Sequence, residues 1–327
     1  KLATFLLEFS RFLKAINMEL LSELILLVLC RCKNKERYFT YIKEFLKENQ
    51  KHILSHERGI LKTGLRYTGN SCYQDSVFFA LFATPNQFIK ENILGVNLQN
   101  VKNILECPDT NRKKIQDELN IIARNEKSYT CSNIRKLFQK CPSEKYDFNT
   151  TRQQDAGEFL QYLFTLMGVE HTTLMLEYFK KDVRKTLVSP ILTVSSWELL
   201  NSVKTPKKIS NFLKRTETTT TLEYVKSDYI IFYISRLYIH KNEKKRNYAS
   251  IIPEKSIKLS QNEYPLKLHA IVVHRNSHYT CYCRFGKYWY FYDDLKEGLV
   301  KIGKWENLTT ESLSPNPMTE GTLYFYS

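Results

Sequence analysis

Cysteine is missing from the whole stretch 165–265, glycine from the first 58 residues, and no apolar run reaches the length of a membrane span. The first absence excludes a cysteine-ligated zinc ribbon in that stretch, because such a site draws on closely spaced ligand pairs. The second coincides with apolar residues at helical spacing: Leu2, Phe5, Leu6 and Phe9, then Leu20, Leu21, Leu24 and Leu27, then Tyr41, Ile42 and Phe45. That pattern predicts a helical N-terminal region over residues 1–57. The most apolar run, 20–32, contains Glu23 and falls short of the about 20 residues a bilayer requires, so it reads as a buried helix.

No interleaved basic and aromatic nucleic-acid motif stands out, although 49 Lys and Arg against 34 Asp and Glu leave a net charge of +15. The lysines are spread along the chain, which points to a solvated basic surface and away from a dedicated nucleic-acid site. Eight cysteines, at 30, 32, 72, 107, 131, 141, 281 and 283, suggest no disulfide framework. No secretory leader is read at the start of the chain, so a reducing, intracellular setting is expected, cytoplasmic or nuclear.

What is present centres on residues 64–82, a polar, glycine-punctuated turn running into an apolar helix with Cys72 at the junction. A helix N-terminus carries unpaired N–H groups and partial positive charge, which push a thiol toward the nucleophilic thiolate. Most free cysteines only pack, so the case for Cys72 depends on partners elsewhere. A thiol nucleophile needs a histidine base and a group to orient it. His278 and the Asp293-Asp294 pair have the right types, though paired aspartates after a strand also serve as plain turn residues.

The helix from Cys72 is expected to bury Val77, Phe78, Leu81 and Phe82 and to end near Pro85. Helical spacing recurs over 115–123 and 134–138, and Thr151 with Gln154 has capping-box spacing before an apolar face of Phe159, Leu160, Leu163 and Phe164. Beyond residue 184 β-branched and aromatic residues take over. Strands are predicted over 218–225, 228–237, 266–274, 278–285, 288–292 and 322–326, with a loop or short helix at 189–208 and a charged turn at 241–246. Cys281 and Cys283, alternating with Tyr282, are expected on one face as core residues. Helices followed by an antiparallel sheet make the class α+β.

These stretches resemble the boxes of the ubiquitin-specific protease family of cysteine deubiquitinases. Residues 64–82 resemble its cysteine box, 153–163 its glutamine-aspartate box, 264–294 its histidine box and 321–326 its last core strand, in family order. The resemblance implies a papain-like fold over 58–327, a helical lobe plus an antiparallel sheet lobe, with a short fingers region lacking zinc ligands. It implies that Cys72 is the nucleophile, His278 the general base and Asp293 the third member, with Asp294 as a helper and no metal or cofactor. His274 matches an upstream histidine of the box. Gln154, Asp155 and Tyr279 are expected to border the channel for the substrate tail, although Gln154 and Asp155 fit helix capping equally well.

Two positions depart from the family pattern. Tyr67 stands where an asparagine usually donates to the oxyanion; the Tyr67 hydroxyl, Asn70 or the Cys72 N–H are the candidate replacements. Asp75 stands where asparagine is common and is expected to oppose thiolate formation if close. The implied partners are conjugates of ubiquitin or a ubiquitin-like protein. A weakly active or inactive ubiquitin-binding relative is the alternative.

Overall fold

Residues 64–82 set the architecture because the sequence CYQDSVFFALF leaves no polar stripe for solvent. In the computed structural model it forms helix α1 (Cys72–Phe82), buried at every position. The structure describes residues 64–327 apart from 125–128, 142–151, 170–174, 181–182, 188–190, 201–204, 218–219 and 297. The compact unit that contains them begins at Gly59. The helices expected over 1–57 lie outside the described residues, as do Thr151, Cys30 and Cys32. A helix buried on every side, its polar Gln74, Asp75 and Ser76 included, must be enclosed by other elements. Here α1 is flanked by α2 (Asp109–Arg124) and α4 (Ala156–Met167) and by the main sheet; α3 (Ser132–Phe138) packs beside α2. Phe78 meets Phe159 edge to face at 5.5 Å, and Phe79 stacks on Tyr292 at 4.1 Å.

Helix α4 begins at Ala156, and the residue that caps it is Asp155, not Thr151 of the expected capping box. The Asp155 carboxylate accepts the N–H groups of Gly157 at 2.7 Å and Glu158 at 3.0 Å, satisfying two orphan donors of the first turn. Asp155→Ala is expected to cost about 1 kcal/mol of stability, read as a lowered melting temperature. Glycine at 157 is a packing requirement: a Cβ there would lie 2.2 Å from the Tyr233 ring.

The strands, in chain order, are β1 (Met175–Lys180), β2 (Val183–Leu187), β3 (Ile191–Val194), β4 (Lys214–Glu217), β5 (Thr220–Lys226), β6 (Ile230–Ile234), β7 (Leu266–Arg275), β8 (His278–Phe285), β9 (Tyr288–Tyr292), β10 (Leu299–Gly303) and β11 (Gly321–Tyr326). The main sheet runs β10-β9-β8-β7-β11-β6-β3, antiparallel except for the β6–β3 pair, with Ser256–Ile257 added beside β7. A separate antiparallel sheet, β2-β1-β5-β4, lies in the region between the second and third sequence boxes.

Alternation along β7 and β11 sends Ala270, Val272, Leu323 and Phe325 into the core shared with α1 and α4. Ile271, Val273, Tyr324 and Tyr326 enter a second core on the other face. Cys281 and Cys283 share the helix-side core with their sulfurs 3.4 Å apart. No described helix is long and apolar enough to cross a membrane.

Three sequence expectations change. Residues 191–194 form strand β3, followed by a short helix at Ser196–Leu200, where a loop or short helix was expected; the strand is defined by parallel pairing to β6, a contact no local pattern displays. The charged segment 241–246 is half turn and half strand. Leu237–His240 pairs with Glu243–Arg246 through Lys241 and Asn242, whose φ values of 51° and 63° match the twist of a tight hairpin. Cys107 and Cys141 are joined by a disulfide between two cysteines whose spacing of 34 gave no signal.

Candidate active site

The loop entering α1 is held by side chains on both sides. Gly69 and Asn70 take positive φ values of 40° and 58°, and the Thr68 N–H donates to Ser71 Oγ at 2.8 Å. Arg135 from α3 donates to the carbonyls of Thr68 and Gly69, the latter at 2.8 Å. The Asn70 N–H donates to the Tyr67 hydroxyl at 2.8 Å, and the Tyr67 N–H to the Asp294 carbonyl at 3.3 Å. This winding delivers Cys72 as the first residue of α1, its side chain buried.

Strands β7 and β8 are joined by Asn276 and Ser277 alone, with φ values of 48° and 62° that give the primed turn a two-residue hairpin prefers. His278 is therefore the first residue after the turn. Its Nε2 lies 2.9 Å from Asp293 Oδ1 and 3.5 Å from Asp294 Oδ1, and interaction with Cys72 is among the effects that favour its charged form. With Nε2 committed to Asp293, Nδ1 is the nitrogen left for sulfur. The bond to Asp293, then the interaction with Cys72, pushes the imidazole up to about 10 against the opposing effect of burial. Burial opposes ionisation of Asp293, but His278, the Leu295 N–H at 3.2 Å and the Lys296 ammonium at 3.3 Å outweigh it and hold the carboxyl below its ordinary value.

Asp75 does not act as a free negative charge beside the thiol. It is fully buried and accepts the Ser71 hydroxyl at 2.5 Å. Burial raises its pKa, and burial together with Asp75 pushes Asp294 up to about 9. Burial of the two acids disfavours carrying a full charge on each.

His274 is held elsewhere. Arg246 bonds its Nδ1 at 2.5 Å and its carbonyl at 2.6 Å, and its ring stacks on Tyr279 at 4.2 Å. Burial, then Arg246 and His278, lowers it to about 4, so it is neutral at pH 7. The Tyr279 hydroxyl donates to Asp155 Oδ2 at 3.4 Å, joining β8 to the start of α4. Gln154 is half-buried immediately before that cap. The structure thus brings His278, Asp293 and Asp294 into one cluster, with Cys72 among the groups acting on His278, Tyr67 and Asn70 in the loop that precedes Cys72, and Asp155 and Tyr279 in contact with each other.

Sequence reasoning missed Ser71, Cys131, Arg135 and Arg246. The four-residue spacing of Ser71 and Asp75 on one helical turn carried a usable signal. The two arginines carried none. His278, Asp293 and Asp294 offer three donor atoms within 4.8 Å of one another, a separation a metal ion could span. The short bond from His278 to Asp293 already uses the nitrogen such an ion would take, so the cluster is read as an imidazole with its acids.

A cysteine at a helix N-terminus, faced across a sheet edge by an acid-bound histidine, is the arrangement of a papain-like cysteine protease. The family model for ubiquitin carboxyl-terminal hydrolase matches residues 63–326, and the chain belongs to that family. Among solved structures the fold is similar to a chain in "Structure of the Ubp8-Sgf11-Sgf73-Sus1 SAGA DUB module". That match has a TM-score of 0.52 and 16% sequence identity, covering 86% of this chain and 72% of that one.

Proposed function

We propose that this chain hydrolyses the peptide or isopeptide bond after the C-terminal glycine of ubiquitin, or of a ubiquitin-like protein, through a thioester on Cys72. The observation that carries this reading is the 2.9 Å bond from Asp293 to His278, an imidazole whose charged form is further favoured by Cys72 at the start of α1. His278 takes the thiol proton, the thiolate attacks the glycine carbonyl, and the imidazolium protonates the departing lysine amine. Water, deprotonated by His278, then cleaves the thioester and releases the carboxylate. Asp293 keeps the ring oriented and stabilises the imidazolium throughout. The contact of Tyr279 with Asp155 supports placing the substrate tail between β8 and the start of α4, next to Gln154.

Tyr67 takes the part of the missing asparagine in this reading. Its oxygen accepts from the Asn70 N–H, which leaves the O–H hydrogen to donate to the oxyanion alongside the Cys72 N–H. Tyr67→Phe is expected to lower kcat by about a hundredfold to a thousandfold with little change in KM, the usual cost of one oxyanion donor. Hydrolysis of a fluorogenic ubiquitin conjugate by the wild-type chain tests the proposal. Turnover supports it. Ubiquitin binding without turnover by wild type favours the second reading, a ubiquitin-binding relative whose loop at Tyr67 no longer supports chemistry.

A further inference from the structure

We propose that Asp75 and Asp294 share one proton, and that this buried acid pair positions the Asp293-Asp294 segment against α1, so that loss of the proton sets the alkaline limit of activity. The inference deepens the proposed function and rests on its assignment of Cys72 and His278.

The geometry leaves three carboxylate oxygens without a fixed donor. Asp75 has no solvent exposure; its Oδ2 takes the Ser71 hydroxyl, while its Oδ1 is unpartnered. The Asp294 side chain is likewise fully buried, with both oxygens unpartnered. The nearest cation, His278 Nε2, is 3.5 Å away and already bonded to Asp293 at 2.9 Å. Both carboxyls are fully buried, and each is among the groups that shift the other's titration. Two bare carboxylates in that position would repel and forfeit their solvation, whereas one proton turns the same contact into a donor and an acceptor.

From α1 and its cap, Ser71 and Tyr73 face Asp75; the Cys131 thiol, a weak donor in the residue before α3, interacts with it, and Arg135 faces it from α3. Tyr292 at the end of β9 faces both acids, and His278 and Asp293 face Asp294. Only Arg135 and His278 are cationic. Arg135 spends an amino group on the Thr68 and Gly69 carbonyls, and His278 spends Nε2 on Asp293.

The pair matters to the site because Asp294 is anchored twice. Its carbonyl accepts from the Tyr67 N–H, and its carboxyl meets α1 three residues beyond Cys72. Asp293, which holds His278, is the adjoining residue. Loss of the shared proton converts the second anchor into repulsion and releases Asp293 from its position. Asp75 is thus a positioning residue, acting on His278 through Asp294 and Asp293.

The test compares pH profiles for hydrolysis of a fluorogenic ubiquitin conjugate by wild type and Asp75→Asn, whose amide donates to Asp294 at every pH. The expected result is an alkaline limb that moves upward by about one pH unit in the variant, from the limit of the acid pair toward that of His278. Coincident alkaline limbs overturn the positioning role. A second readout needs neither variant nor substrate: the infrared difference spectrum of wild type between neutral and alkaline pH should contain a protonated-carboxyl C=O band that disappears on raising the pH. Absence of that band overturns the shared proton. Because the band is read on the free protein, it separates failure of this inference from failure of the proposed activity.

Discussion

Cys72→Ala is expected to reduce turnover of a ubiquitin conjugate to background, a loss on the order of a millionfold if the protein behaves as other nucleophile-and-histidine hydrolases do. Without sulfur no thioester forms, and neither His278 nor the oxyanion donors provide a second nucleophile. The fold should survive. Cys72 is buried at the first position of a helix whose remaining residues supply its packing, and alanine is well tolerated in a helix. A melting temperature within a few degrees of wild type, alongside lost turnover, would separate chemistry from stability. Turnover retained by Cys72→Ala would reassign the nucleophile; Cys131, Cys281 and Cys283, all buried, offer no evident replacement.

Asp293→Ala has the next largest expected effect, a fall in kcat on the order of ten-thousandfold, as when a triad loses the acid that orients its histidine. Asp294 cannot take over. It lies 3.5 Å from His278 Nε2, against 2.9 Å for Asp293, and burial raises its pKa and so disfavours the charged form that would hold the imidazolium. The pH profile should move as well. The largest cause of the raised His278 value is its bond to Asp293, and the favourable contribution of the imidazolium is lost as pH rises through about 10. Removing Asp293 lowers that value, so the residual activity should lose its alkaline side at a lower pH than wild type. A His278 titration in Asp293→Ala, followed by NMR, that is no lower than in wild type would show that Asp293 does not control His278.

How much of this was legible in the sequence varies with the range of the contacts concerned. Strands β8 and β9 have the bounds that alternation and the flanking turns predict, because the Asn276-Ser277 turn and Gly286 delimit them locally. Helix α1 was readable as buried because its apolar run is uninterrupted and stops before Pro85. Cys72, His278 and Asp293 could be named as candidates by residue type and box order, although only the fold brings His278 and Asp293 to 2.9 Å. Strand β3 could not be read, since four residues next to a proline become a strand only by pairing with β6. Nor could the state of Asp75 be read. Sequence shows a charge-bearing residue, while its complete burial, which raises its pKa, is set by the fold. The arginines at 135 and 246 read as surface charge in a basic chain, yet one fastens the loop before Cys72 and the other fastens His274.

The most direct test of the central claim is reaction with ubiquitin carrying a C-terminal electrophile, followed by mass-spectrometric mapping of the modified residue. The account predicts a single adduct on Cys72, formed by wild type, absent in Cys72→Ala and strongly slowed in Asp293→Ala. An adduct on another cysteine, or none from wild type when ubiquitin and ubiquitin-like probes are both tried, would contradict it.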